Sequence, residues 1–157
     1  MKRKATKAVC AGALLALALS GCGQSGGEPY ATAGEEIALQ IQLDVDEDIG
    51  LLVIDYEAGS TSGSGGTSNA DKSPIKRDAL LYYSLEERVF DNRADVENLR
   101  LGFTIITEYV DPNYENVYPA EYTVPAGEIT LNADFGEVYS ITITGSRSDG
   151  YEAVLAE

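Results

Sequence analysis

The chain has 157 residues, 11 basic and 26 acidic, for a net charge of −15, with no histidine and two cysteines. That balance repels nucleic-acid phosphates and anionic headgroups, so neither is expected as a partner. Without histidine, Ser-His-Asp and Cys-His catalysis are ruled out and a zinc site would need carboxylates alone, so no enzyme is expected.

Lys2, Arg3, Lys4 and Lys7 precede an almost wholly apolar run from Ala8 to Leu19, the layout of an export signal. The run is shorter than the roughly 20 apolar residues a membrane helix needs. Gly21, Gly23, Gly26 and Gly27 break it at once. Its end, Leu19-Ser20-Gly21-Cys22, resembles the lipobox of bacterial lipoproteins: Leu, a small residue, Gly or Ala, then Cys. The resemblance covers the first 22 residues. It implies cleavage before Cys22, a diacylglyceryl lipid on the Cys22 thiol, and anchoring to the cell membrane on its extracytoplasmic face. Two or three acyl chains anchor stably where one does not.

The expected organisation is therefore a signal over 1–21, a flexible tether over 22–35 and a folded domain over 36–157. Removing 1–21 discards four of the 11 basic residues and no acidic one. Cys10 leaves with the signal and Cys22 carries the lipid, so the domain keeps no thiol for a disulfide, a metal or a nucleophile.

Within the domain, Ile37, Leu39, Ile41, Leu43 and Val45 alternate with Gln40, Gln42 and Asp44, which predicts a half-buried strand. Leu51 to Glu57 predicts a second. The Gly, Ser, Thr and Asn content of 59–78 predicts a mobile surface loop. Ala79 to Leu85 reads as a strand, followed by one helical turn where Ser84 and Glu87 have capping-box spacing. Leu99, Leu101, Phe103, Ile105, Thr107 and Tyr109 alternate with Arg100, Thr104 and Glu108. Short strands follow at Tyr122 to Val124, Glu128 to Ala133, Val138 to Thr144 and Tyr151 to Leu155, with Asp149-Gly150 turning the last hairpin.

Seven or eight short strands and no long amphipathic helix predict an all-β, two-sheet antiparallel β-sandwich. The run Gly136-Glu137-Val138-Tyr139-Ser140-Ile141-Thr142-Ile143 resembles the penultimate strand of immunoglobulin-like and fibronectin-type domains. The resemblance spans Tyr122 to Leu155, without the Trp or paired cysteines of true immunoglobulin domains. It implies that Tyr139 bonds back to upstream backbone; an ordinary rim tyrosine is the plainer alternative.

Three constellations carry chemistry. Asp44, Asp46 and Asp48, with Asp55 further on and Glu47 as an additional carboxylate, have the ligand spacing of a Ca²⁺ loop. The sixth position of such a loop is glycine, however, and here it is Ile49, so a solvated acidic face is the plainer reading. Ser73-Pro74-Ile75-Lys76 matches the Ser-x-x-Lys of penicillin-binding proteins, but no Lys-Thr-Gly follows, and the match is read as chance. In the segment from Tyr109 to Tyr122, Tyr109, Asn113, Tyr114, Tyr118 and Tyr122 are interleaved with prolines. Tyrosine and asparagine supply rigid aromatic area and adaptable hydrogen bonding, the chemistry of binding loops carried by sandwiches. The alternative is that these rings cover the rim of the core. The expected function is a lipid-anchored, non-catalytic binding module for a protein or glycan. A Ca²⁺-stabilised structural or adhesion domain and a carbohydrate-binding module are the alternatives.

Overall fold

The computed structural model describes residues 34–93, 95–109 and 115–156. The signal, Cys22 and most of the expected tether lie outside the described residues, as do Asn113 and Tyr114.

Eight strands form two four-stranded sheets: β1 (Glu36–Val45), β2 (Leu51–Ala58), β3 (Thr61–Thr67), β4 (Leu80–Glu86), β5 (Asp95–Ile106), β6 (Thr123–Asp134), β7 (Val138–Ser146) and β8 (Gly150–Leu155). The first sheet has the order β4-β1-β7-β8 and the second β3-β2-β5-β6. The alternation read in β1 is the alternation of burial: Ile37, Leu39, Ile41 and Leu43 are fully buried. From the facing sheet come Leu52, Ile54, Leu99, Leu101, Phe103 and Ile105, all in one cluster. Each such side chain contributes roughly 1.5–3 kcal/mol through burial, which makes the two inner faces the main source of stability.

The sandwich is not purely antiparallel. β1 pairs antiparallel with β4 but parallel with β7, Ala38 opposite Val138 and Val45 opposite Gly145. β7 thus lies beside β1, in the other sheet from β2 and β5. Tyr139, near the start of β7, accepts the backbone N–H of Asp134 at 2.9 Å, pinning the corner between β6 and β7.

Local irregularities explain where sequence and structure part. β5 begins at Asp95, earlier than its alternation from Leu99 indicates, because a bulge intervenes: Glu97 and Asn98 together face Asn132. Asn98 takes φ +52° and donates its N–H to the side-chain oxygen Oδ1 of Asn132 at 2.9 Å. The extra residue lets Val96 and Leu99 both face the core. The strand ends at Ile106, so Thr107 and Tyr109 belong to the following connection. The two short strands expected around Pro125 are one strand, β6, with a bulge at Ala126 beside Gly127 at φ +98°. Proline is tolerated because β6 is an edge.

The stretch 59–78 is only partly a loop. Gly59 and Ser60 turn the chain, and Thr61–Thr67 pairs along the whole of β2 from Ala58 to Leu52. The reason is tertiary: the glycines on its inner face make room for tyrosines. A Cβ on Gly63 would overlap the ring and hydroxyl of Tyr56, and one on Gly65 those of Tyr83. Further along, Ile75 exchanges both backbone hydrogen bonds with Ile49, at 2.7 and 3.0 Å, and the pair closes the core at 3% and 0% exposure. The helical turn is a 3-10 turn, Glu87–Phe90, with no side-chain cap. Ser84 stays in β4, and the turn is held by buried Phe90, whose ring lies 5.9 Å from Tyr56 and 6.1 Å from Phe135.

Candidate functional site

Strand directions gather the connections 46–50, 68–79 and 147–149, with residues 107–109 and 115–122, at one end of the sandwich, opposite the end where β1 begins. From that end a trough runs down the outer face of the second sheet. Its floor follows from register. Ser64, Asp55, Gly102 and Glu128 form one cross-strand row, and Gly66, Val53, Thr104 and Pro125 the row above it. Gly102 has no side chain, so the sheet surface is notched between the carboxylates of Asp55 and Glu128. Neither carboxylate has an ion-pair partner among the described residues. Glu57 in the row below is paired with Arg100.

At the loop end the alternation turns Leu51 and Ile106 outward, yet they are only 5% and 1% exposed. The connection after β5 folds back over this part of the sheet. Gly50 passes so close to it that a Cβ there would overlap the Tyr109 nitrogen and lie 2.8 Å from the Glu108 carbonyl carbon. Tyr109, Asn116 and Tyr118 then stand with Leu51, Val53 and Gly66 around a groove of about 420 Å³. The two tyrosine rings meet edge to face, centroids 6.3 Å apart at 69°, and the Lys72 ammonium lies 5.2 Å from the Tyr109 centroid. A groove of about 470 Å³ continues over Asp55, Gly102 and Glu128 and shares Ser64 with the first. The combined surface is aromatic and apolar at one end and acidic at the other.

Of the tyrosines singled out in the sequence, Tyr109 and Tyr118 come together here, and Tyr122 does not join them. Its ring lies under the Arg147 guanidinium at 5.6 Å, and its carbonyl accepts the Thr107 N–H at 2.8 Å. Arg147 also donates to the Glu121 carbonyl at 2.6 Å, and its backbone N–H donates to Glu47 at 2.6 Å. Tyr151 donates its hydroxyl to the same carboxylate. This cluster ties three connections together. Burial first, then the bond to Glu47, pushes the Tyr151 hydroxyl well above the usual tyrosine range.

The aspartates of the Ca²⁺ pattern are not assembled into a site. Asp44 is exposed on β1, Asp55 sits in the other sheet, and Asp48 is taken by Lys76 at 2.7 Å and by the Arg77 N–H at 3.0 Å. Those two partners hold the Asp48 carboxyl below its ordinary value, the Lys76 hydrogen bond counting most. Among the described residues no three His, Cys, Asp or Glu side chains stand together as a metal site. The physical reason is the corner after Val45: the residues 44, 46 and 48 straddle it. Lys76 is likewise far from the role of an activating base, since Ser73 bonds to Asp71 at 2.6 Å while Lys76 serves Asp48. The described residues contain no catalytic constellation.

Sequence reasoning missed the notch. Gly102 interrupts an otherwise side-chain-bearing strand, and an isolated strand glycine marks a close approach or an open surface. Asp55 was singled out, but for a metal.

No protein-family model matches the chain, and no curated protein matches it. Among solved structures, the human-specific toxin intermedilysin is 10% identical, with a TM-score of 0.36 over 78% of this chain and 24% of its own. Pneumolysin is 11% identical at a TM-score of 0.35, over 77% and 23%. The membrane-binding domain of pneumolysin is 10% identical at 0.33, over 78% and 95%. The chain spans about a quarter of the length of the whole toxins, and no shared site follows from likeness at this level.

Proposed function

We propose that this protein is an extracytoplasmic lipoprotein, anchored through lipid on Cys22, whose sandwich is a non-catalytic, immunoglobulin-like binding module. The observation that carries the binding role is the trough, with Tyr109 and Tyr118 standing over outward-facing apolar residues at its loop end. Half-buried rings over an apolar floor offer anchor positions for a partner.

The order of β1 to β6 supports the immunoglobulin-like reading. In that fold strands B and E are neighbours in one sheet and C, F and G in the other. Here β1 and β4 are neighbours, as are β2, β5 and β6 in the second sheet. The departure is β7, which runs parallel to β1. In this correspondence 46–50, and 107–109 with 115–122, take the places of the B–C and F–G loops, two of those that bind antigen in variable domains.

Two experiments test the proposal. Tagged wild type and a Tyr109→Ala/Tyr118→Ala variant are used to capture partners from intact cells; loss of a specific partner by the variant, with folding retained, is the expected result. Equal capture would remove the trough from consideration. Separately, Cys22→Ala is expected to leave the membrane fraction, and a wild-type chain that mass spectrometry finds without lipid would end the anchor reading.

A further inference from the structure

We propose that the edge of β3, which has no strand beside it among the described residues, takes up an extended peptide segment of a partner by strand addition, and that the segment carries a basic residue facing Asp55. This rests on the binding-module reading and names the class of partner.

β3 is the outermost strand of the second sheet. Sheet edges are normally guarded by charges, prolines or bulges against unwanted pairing. The other three edges follow that practice: β6 has Pro125 and a bulge, β8 has Glu152, and β4 ends on Glu86. β3 reads Thr-Ser-Gly-Ser-Gly-Gly-Thr, with no charge, no proline and an unbroken register against β2. In a chain with 26 acidic residues, a seven-residue strand without charge is an edge left open.

The open backbone groups can be named. The two-residue turn at Gly59 and Ser60 makes Ala58 and Thr61 a hydrogen-bonded pair, and such pairs alternate along an antiparallel ladder. Gly63, Gly65 and Thr67 therefore bond to β2, while the N–H and C=O groups of Ser62, Ser64 and Gly66 face away from it. Strand addition uses such groups for affinity and alternate side chains for specificity.

The side-chain preference comes from the row behind. Ser64 pairs with Asp55, which faces the same side of the sheet, and Asp55 has no ion-pair partner among the described residues. An added strand would lie two strand spacings from β2, about 9.6 Å. A lysine or arginine stem laid across the small Ser64 side chain covers that span, and a shorter side chain does not. Glu57, one row down, is already occupied by Arg100, so Asp55 is the selective position. The acidic net charge steers a cationic segment to the surface.

The test uses the full chain in detergent and an eight-residue peptide of alternating threonine and lysine, with a threonine–glutamate peptide as counterpart. Binding is read by peptide fluorescence anisotropy and by hydrogen exchange at Ser62, Ser64 and Gly66. The lysine peptide is expected to bind and slow exchange at these three amides, and the glutamate peptide to do neither. Ser64→Pro removes only an outward N–H, which edge strands tolerate, and is expected to abolish binding. Asp55→Lys leaves the edge intact, keeps the test alive should the proline variant not fold, and is expected to reverse the preference between the peptides. Asp55→Asn is expected to weaken the lysine peptide about threefold, the scale of one exposed ion pair.

Binding without protection of β3, or a preference unmoved by Asp55→Lys, overturns the proposal. So does self-association of the wild type that Ser64→Pro removes, which would assign the edge to a second copy. A partner lost by the Tyr109→Ala/Tyr118→Ala variant but kept by Ser64→Pro would overturn strand addition and leave the binding module standing.

Discussion

Two glycine-to-alanine substitutions, one in the connection just before β2 and one within β5, should move stability in opposite directions. At Gly50 the new methyl would run into main chain, overlapping the Tyr109 nitrogen and approaching the Glu108 Cα to 3.1 Å. Backbone cannot rotate aside as a side chain can, and Gly50 is also held by its N–H to the Ile106 carbonyl at 2.8 Å. Overpacking of this kind costs about 1–3 kcal/mol, against about 0.4–1 kcal/mol gained by restricting the unfolded chain. The net expectation for Gly50→Ala is a loss of about 1–2 kcal/mol, with the Tyr109 connection displaced from the sheet. At Gly102 the nearest atom to a new methyl is the Asp55 Cβ at 3.7 Å, an ordinary contact. Alanine there should gain about 0.5 kcal/mol, since strand-interior glycine is the weaker residue. It would also raise the trough floor. Urea unfolding followed by circular dichroism measures both, with the denaturant slope expected to stay constant. Equal midpoints for the two variants, or a Gly102→Ala protein as unstable as Gly50→Ala, would refute the steric reasoning.

In an alkaline titration followed by ultraviolet absorbance, Tyr151 should ionise last, with Tyr83 also late because burial raises it. Both folded values are raised, so their contribution to stability is full below the ordinary tyrosine value and disappears as pH rises through the folded one; a single common transition in the folded protein would count against this. Asp48 has the opposite sign: its contribution holds above the ordinary aspartate value and is lost as pH falls through the lowered folded one. Because the pair is solvent-exposed, the readout should be local: amide protection factors at Ile49 and Ile75, taken against the intrinsic exchange rate at each pH, should fall in acid and in Asp48→Asn at neutral pH, while the global midpoint hardly moves. Trypsin should cut after Lys72 before Lys76 or Arg77, because the latter two are bonded to Asp48 and to the Val45 N–H; first cleavage at Lys76 would show that these bonds do not hold the segment.

The strands that alternate strictly, β1 and the body of β5, were legible because one buried face imposes a period of two on the sequence. β3 was not, since serine and glycine have little strand preference of their own and the element exists because Tyr56 and Tyr83 need the space beneath Gly63 and Gly65. A pair of glycines two apart, soon after a strand containing a tyrosine, is the signal that was available. The parallel pairing of β1 with β7 leaves no trace in either segment, because hydrophobic alternation carries no direction. For the site, aromatic composition pointed to Tyr109 and Tyr118, but it could not separate them from Tyr122, whose place is decided by Arg147. The notch at Gly102 needed register across three strands, which no single stretch of sequence encodes.

The partnership of β1 and β7 also bears on how the chain folds. Ala38 waits for Val138, so one side of the first strand stays without its neighbour until most of the polypeptide is present. Contacts this distant along the chain make folding slow, since loop-closure entropy is lost before the pairing rewards it. A chain cut short before β7 would leave β1 with an open edge and the part of the core under β7 and β8 uncovered, a state that stays unfolded or associates.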